Sequence, residues 1–158
     1  MAPSLSPETI AVVKATGPAL QQHGVAITTR MYERLFRDPA IRALFDQAAQ
    51  DSGEQPRRLA AAILGYAQNI DRLENLGPAV GRMVARHVET GVKAEHYPHV
   101  AEALLPAIRD VLGAEVASDA VLAAWGEAYW FLARLLIAAE AERYAELAAD
   151  GAGELVEA

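Results

Sequence analysis

The chain has 158 residues, of which 53% are hydrophobic and 6% aromatic, with a formal net charge of -7 and no cysteine. That length suits one domain with a well-buried core and is short for two. The acidic balance argues against nucleic acid or an anionic membrane as a partner, and the missing thiols exclude disulfides, thiolate metal sites and iron–sulfur clusters.

The opening "MAPSLSPETI" has no basic residue before Lys14 and no continuous apolar stretch, so no signal peptide is expected. No apolar run approaches the roughly 20 residues of a membrane-spanning helix. The expected location is cytoplasmic. Ser6-Pro7 joins a helix cap to a first-turn proline and opens a segment to about Gln22, where His23-Gly24 is expected to break it. Val25, Thr28, Tyr32 and Leu35 then recur along one face of a second helix. Asp38-Pro39 caps a short third helix, "PAIRALF", which is expected to end near Phe45.

"DQAAQDSGEQPRR" is loop-like, and Ser52 with Gln55 resembles a capping box, with Pro56 in the first turn beyond. The helix that follows sets Leu59, Ile63, Tyr66 and Ile70 on one face. "ENLGP" interrupts, Pro78 opens another helix, and Gly91 closes it. Pro98 sits in the first turn of the next, whose stripe is Val100, Leu104, Ile108 and Val111; its interior Pro106 is expected to kink it. Ser118 caps the last and longest helix, with Trp125, Tyr129, Leu132 and Leu136 inward. Residues 150–158, "DGAGELVEA", are expected to form a short disordered acidic tail. There is no period-two alternation and no internal repeat. The expectation is an all-α fold of seven or eight helices in one domain over residues 1–149, with lengths too unequal for a regular four-helix bundle.

Three polar residues fall on stripes that should be dry. His87 continues the Val80, Met83, Val84 face, Glu140 extends the Trp125 series by one more turn, and Tyr32 lies mid-stripe. Taken singly, each has an ordinary explanation: a satisfied core histidine, a carboxylate near a helix end turned to solvent, a core tyrosine bonded to backbone. Taken together, with Tyr97 near the histidine helix, they define a candidate site. A buried carboxylate needs a partner, and an imidazole bonded to it by one nitrogen presents the other, more electron-rich, to a metal. His96 and His99 flank a helix start and are expected at the surface; His23 is expected at a helix terminus.

Other chemistries leave no trace. The paired E-x-x-H of di-iron bundles is missing, as are H-E-x-x-H, G-x-G-x-x-G, a Walker loop and G-x-S-x-G. A single inward histidine best suits a large planar cofactor held by one axial bond, which is haem.

The ordered landmarks "HGVAITTRMYERLF", "ALFD", "EQPRRLA", "NIDRL", "ARHVETGV", "HYPHV", "AWGEAY" and "EAERYA" resemble those of bacterial single-domain haemoglobins related to Vitreoscilla haemoglobin and to the globin domain of flavohaemoglobins. The likeness runs from about Pro7 to Ala148. It implies a globin fold, a three-over-three helical sandwich around haem b (iron protoporphyrin IX). It also implies that His87 is the proximal iron ligand and that Phe45 wedges against the haem. Tyr32 would be the distal hydrogen-bond donor to dioxygen, with Gln55 and Leu59 on the same side, and Tyr97 with Glu140 would be the proximal hydrogen-bonding pair. The implied function is reversible binding of O2 and, given electrons, oxidation of NO to nitrate; CO would be a further ligand. Because the flavin and NAD-binding reductase domain of flavohaemoglobins does not follow the last helix, a separate reductase is the expected electron donor, and a homodimer is among the expected assemblies. Pro106 and Trp130-Phe131 depart from the family's usual residues. The competing expectation is a globin-fold gas or redox sensor, or an interaction module, without turnover.

Overall fold

A computed structural model describes residues 5–44 and 52–157, with side chains to residue 150. Among these residues the chain forms seven α-helices and no strand: α1 (Pro7–Ala15), α2 (Gly17–Leu35), α3 (Pro39–Arg42), α4 (Glu54–Gln68), α5 (Gly77–Thr90), α6 (Tyr97–Val116) and α7 (Asp119–Glu157). Short 3-10 turns, Leu73–Leu76 and Ala94–His96, lead into α5 and α6. The all-α expectation holds.

Capping chemistry sets several of these boundaries. Ser6 accepts a hydrogen bond from the Thr9 amide at 3.1 Å, and Asp38 accepts one from the Ala40 amide at 2.9 Å, each before a first-turn proline. Ser118 accepts from the Val121 amide at 3.3 Å where α7 begins. Gly91 ends α5 with φ 84°, a left-handed conformation that favours glycine, and there the Val92 amide donates to the His87 carbonyl at 2.9 Å.

Four local expectations need correction. The first helical break falls at Thr16-Gly17, where Pro18 can restart a helix, and α2 runs straight through His23-Gly24. His23 is therefore an exposed mid-helix residue, while Gly24 is buried where an added Cβ would lie 3.4 Å from that of Ala60. Val25 is exposed, so the buried α2 stripe is Leu20, Ile27, Thr28, Met31, Tyr32 and Leu35. The Ser52–Gln55 capping box does not form: Gly53, at φ 78°, precedes α4, and Ser52 accepts from the Glu54 amide instead. In α6 the non-helical backbone is at Gly113 (φ 83°, ψ 158°) rather than at Pro106. Proline costs one amide donor there, whereas glycine alone reaches those angles without strain.

α2 packs most extensively, against both α4 and α6, while α1, α5 and α6 pack on α7. The main core includes Ile27, Met31, Tyr66, Leu104, Ile108 and Trp125. Its polar atoms are satisfied: Trp125 Nε1 donates to Thr16 Oγ1 (2.9 Å), Thr16 to the Val13 carbonyl (2.6 Å), and Thr28 to the Pro56 carbonyl (2.7 Å). A second cluster, built on Tyr97, Ala133 and Leu136 with Val80, Met83 and Val84 against it, lies between α5, α6 and α7.

The stretch from Asp119 to Asp150 is, by length and composition, apolar enough to cross a membrane, although charged residues such as Glu127 and Arg134 break any continuous apolar run. Its buried residues, among them Trp125, Ala128, Ala133 and Leu136, pack into the two cores. Helical backbone continues to Glu157 through the region read as a tail, where Ala, Glu and Leu are good helix formers.

Candidate functional site

His87 projects from α5, Tyr97 from the start of α6 and Glu140 from α7, and the fold brings the three together. Nδ1 of His87 lies 2.8 Å from Glu140 Oε2 and 3.2 Å from the Tyr97 hydroxyl. Tyr97 donates to both carboxylate oxygens, at 2.7 and 2.8 Å. Glu140 is only 3% exposed, so its charge depends on these donors in place of water. A carboxylate accepts and does not donate, so the hydrogen between the two side chains is assigned to Nδ1, which leaves the Nε2 lone pair as the free end of the ring. The imidazole itself is 31% exposed, unlike its two partners. Burial and the neighbouring Glu140 carboxylate both push the Tyr97 phenol well above its ordinary pKa, so it stays a donor.

The backbone around this group is tied down as well. Tyr129 donates to the Tyr97 carbonyl at 2.7 Å and stacks edge-on with Trp130 at 5.4 Å between ring centroids. Tyr144 donates to the Val92 carbonyl at 2.7 Å. These two supporting tyrosines had no assigned role in the sequence. Tyr129 was legible only as an inward residue, and for Tyr144 the signal is its place four residues after Glu140, on the same side of α7.

A second group comes from α2 and α4. Tyr32 is buried, its hydroxyl accepts from Gln55 Nε2 at 3.3 Å, and its ring lies 5.4 Å from that of Phe36. Burial raises the Tyr32 pKa more than the Gln55 bond lowers it. Leu59, one helical turn beyond Gln55, is partly buried against the main core. Phe45 lies outside the described residues. His96 is half-buried and accepts from the Lys93 amide at 2.9 Å, a local turn rather than a free surface ring; His99 is exposed.

The two groups are carried by different helices, Tyr32 and Gln55 by α2 and α4, and His87, Tyr97 and Glu140 by α5, α6 and α7. α4 and α5 share no extensive contact, and although α5 presents Val80, Met83, Val84 and His87 along one face, none of its residues is buried. An amphipathic helix with an incompletely covered apolar face is the expected wall of a ligand cleft. Among the described residues, no three His, Cys, Asp or Glu side chains gather to hold a bare metal ion. The donors present fit a cofactor attached through one imidazole and otherwise held by apolar contact.

An all-α chain in which one helix carries a histidine buttressed by a buried carboxylate and a tyrosine has the features of a globin-type architecture. A family model for globins matches residues 29–134, and the chain belongs to the globin family. It is 54% identical over 136 residues to the flavohemoprotein of Xylella fastidiosa (strain 9a5c), covering 86% of this chain and 34% of that protein. The flavohemoprotein of Pseudomonas aeruginosa is 51% identical over 143 residues, or 89% and 36% of the two chains. The chain thus spans about a third of the length of these curated relatives. Among solved structures, a bacterial globin from Campylobacter jejuni superposes with TM-score 0.82 at 40% identity, over 88% of this chain and 99% of that one. An engineered carbene transferase named for a nitric oxide dioxygenase of Rhodothermus marinus gives 0.85 at 47%, over 92% and 99%. A Malassezia yamatoensis flavohemoglobin with bound FAD and haem gives 0.82 at 31%, over 90% and 38%.

Proposed function

We propose that this chain is a haem globin that binds dioxygen reversibly and, supplied with electrons, oxidises nitric oxide to nitrate. The observation that carries this reading is the buried Glu140 carboxylate on Nδ1 of His87, which leaves Nε2 for a single axial bond. One imidazole donor beside the partly buried Val80, Met83 and Val84 supports haem b as the cofactor. When bound, it would supply a reducible iron with one coordination position for O2, NO or CO.

The chain's own residues divide the remaining work. His87 would hold the iron, and Glu140, by drawing on the Nδ1 hydrogen, would make Nε2 a stronger donor. Tyr97 keeps that carboxylate in place. On the other face of the bound haem, Tyr32 and Gln55 would offer an O–H and an N–H to a polarised diatomic ligand, and Leu59 would keep water out. Phe45 keeps its wedge role on the family resemblance alone. The relatives named flavohemoproteins, and the dioxygenase named for one structural neighbour, support the same chemistry. The Malassezia protein binds FAD as well as haem and is matched over 38% of its length, so the electron supply for turnover is assigned to a flavin reductase outside the matched region.

Absorption spectra of the purified protein, oxidised, reduced, and reduced under CO, test the haem assignment. A sharp Soret band that shifts as for a histidine-ligated, CO-bound ferrous haem is expected, and His87→Ala should lose the histidine-ligated form. A featureless spectrum after haem is added back, or a variant spectrum identical to the parent's, would remove the assignment. With a reductase present, NO consumption yielding nitrate is expected; O2 binding without nitrate would confine the protein to binding.

A further inference from the structure

We infer that Tyr144 is a positioning residue for His87, holding the backbone behind the imidazole while Glu140 holds the imidazole itself. The inference rests on the reading of His87 as an iron ligand. Val92 links the two sides. Its amide donates to the His87 carbonyl at 2.9 Å, and its own carbonyl accepts from the Tyr144 hydroxyl at 2.7 Å. A chain of two hydrogen bonds therefore runs from the side chain of α7 to the main chain of the candidate ligand.

Glu140 and Tyr144 are one helical turn apart, so both grips come from the same side of the same helix. The segment they span needs an external hold. It turns through Gly91 at φ 84° and lies just outside the last turn of α5, where carbonyls lack helical partners. The Lys93–His96 bond ties only the far end of the loop to itself. Without Tyr144, the Val92 carbonyl loses its α7 donor, and residues 91–93 can shift relative to α7. Glu140 would still reach Nδ1, but the imidazole plane would no longer be fixed from both ends. Fixing the orientation of a ligating ring is what outer hydrogen bonds do at metal centres.

Tyr144→Phe removes the one hydroxyl and keeps the ring. Tyr66→Phe is the comparison: it removes a hydrogen bond of similar length, 2.8 Å to the Ala128 carbonyl, in the main core. Resonance Raman spectra of the ferrous haem proteins would be read for the iron–histidine stretching band. The expected result is a shifted and broadened band in Tyr144→Phe and an unmoved band in Tyr66→Phe. Amide exchange in the haem-free proteins provides a second readout, in which the Val92 and Lys93 amides should exchange about fivefold faster in Tyr144→Phe alone, the equivalent of one neutral hydrogen bond. An unmoved band in Tyr144→Phe, or equal changes in both variants, would overturn the positioning role and leave the haem reading standing. A parent protein with no iron–histidine band at all would overturn both.

Discussion

Glu140 places a carboxylate oxygen 2.8 Å from Nδ1 of His87, although the two residues are 53 positions apart in the chain. Removing the negative charge while keeping the shape isolates what that carboxylate contributes. In Glu140→Gln the amide oxygen can still accept from Nδ1, but it pulls the hydrogen less strongly, and Nε2 becomes a poorer donor. The reduction potential of the bound iron should rise, and NO turnover should fall by about tenfold to a hundredfold. A spectroelectrochemical titration reads the first effect; a potential equal to the parent's would mean the carboxylate serves packing alone.

Tyr32→Phe deletes the phenol that Gln55 reaches. If the phenol donates to bound dioxygen, its loss costs roughly one hydrogen bond, and O2 should leave the ferrous protein about tenfold faster. Flash photolysis and stopped-flow displacement measure this rate. An unchanged rate would place the hydroxyl outside the ligand's reach.

The legible part of this molecule was the part written as periodicity. The His87 and Glu140 stripes, each carried by one helix, revealed two inward polar residues, and the caps Ser6, Asp38 and Ser118 marked their own helix starts. The misreadings came from residues with two meanings. Gly24 read as a helix breaker because a glycine after a histidine looks like a terminus, yet it lies inside α2 where that helix meets Ala60. Pro106 read as a kink, but the backbone departs from helix at Gly113. Spacing could place Tyr129 inward and Tyr144 on the Glu140 side of α7, but not name what they bond, because their acceptors are backbone carbonyls, which every residue has.

The tyrosines make stability sensitive to alkali. Burial raises the phenol pKa values of Tyr32, Tyr66, Tyr97, Tyr129 and Tyr144 above the ordinary 10.0, and Glu140 adds to the effect at Tyr97 and Tyr144. The folded state therefore holds these protons more tightly than the unfolded state does. Their stabilising effect is present in full below the unfolded value and is lost as pH rises towards the folded values. Each tyrosine that ionises only on unfolding removes up to about 1.4 kcal/mol per pH unit in that window. Urea midpoints taken from about pH 9 to about pH 11 should be level at first and then fall steeply, and each Tyr→Phe variant should reduce the slope. A midpoint that stayed level to the upper end would show that the phenols ionise in the folded protein.

Gly24 offers a test of packing where α2 passes α4. A Cβ there would sit 3.4 Å from that of Ala60, at the short edge of ordinary contact, beside a cavity of about 10 Å³. Gly24→Ala gains up to about 1 kcal/mol of helix propensity against a small contact cost, so its stability should match or slightly exceed the parent's. Gly24→Val adds two methyl groups to a gap that holds barely one. A retreat of α4 from α2 would stretch the bond between the Thr28 hydroxyl and the Pro56 carbonyl, 2.7 Å long, that ties the two helices together nearby. A loss of about 1–3 kcal/mol is expected, measured by urea denaturation of the haem-free protein. Equal stability for the alanine and valine variants would mean that the two helices separate freely and that their approach at Gly24 sets no limit on side-chain size.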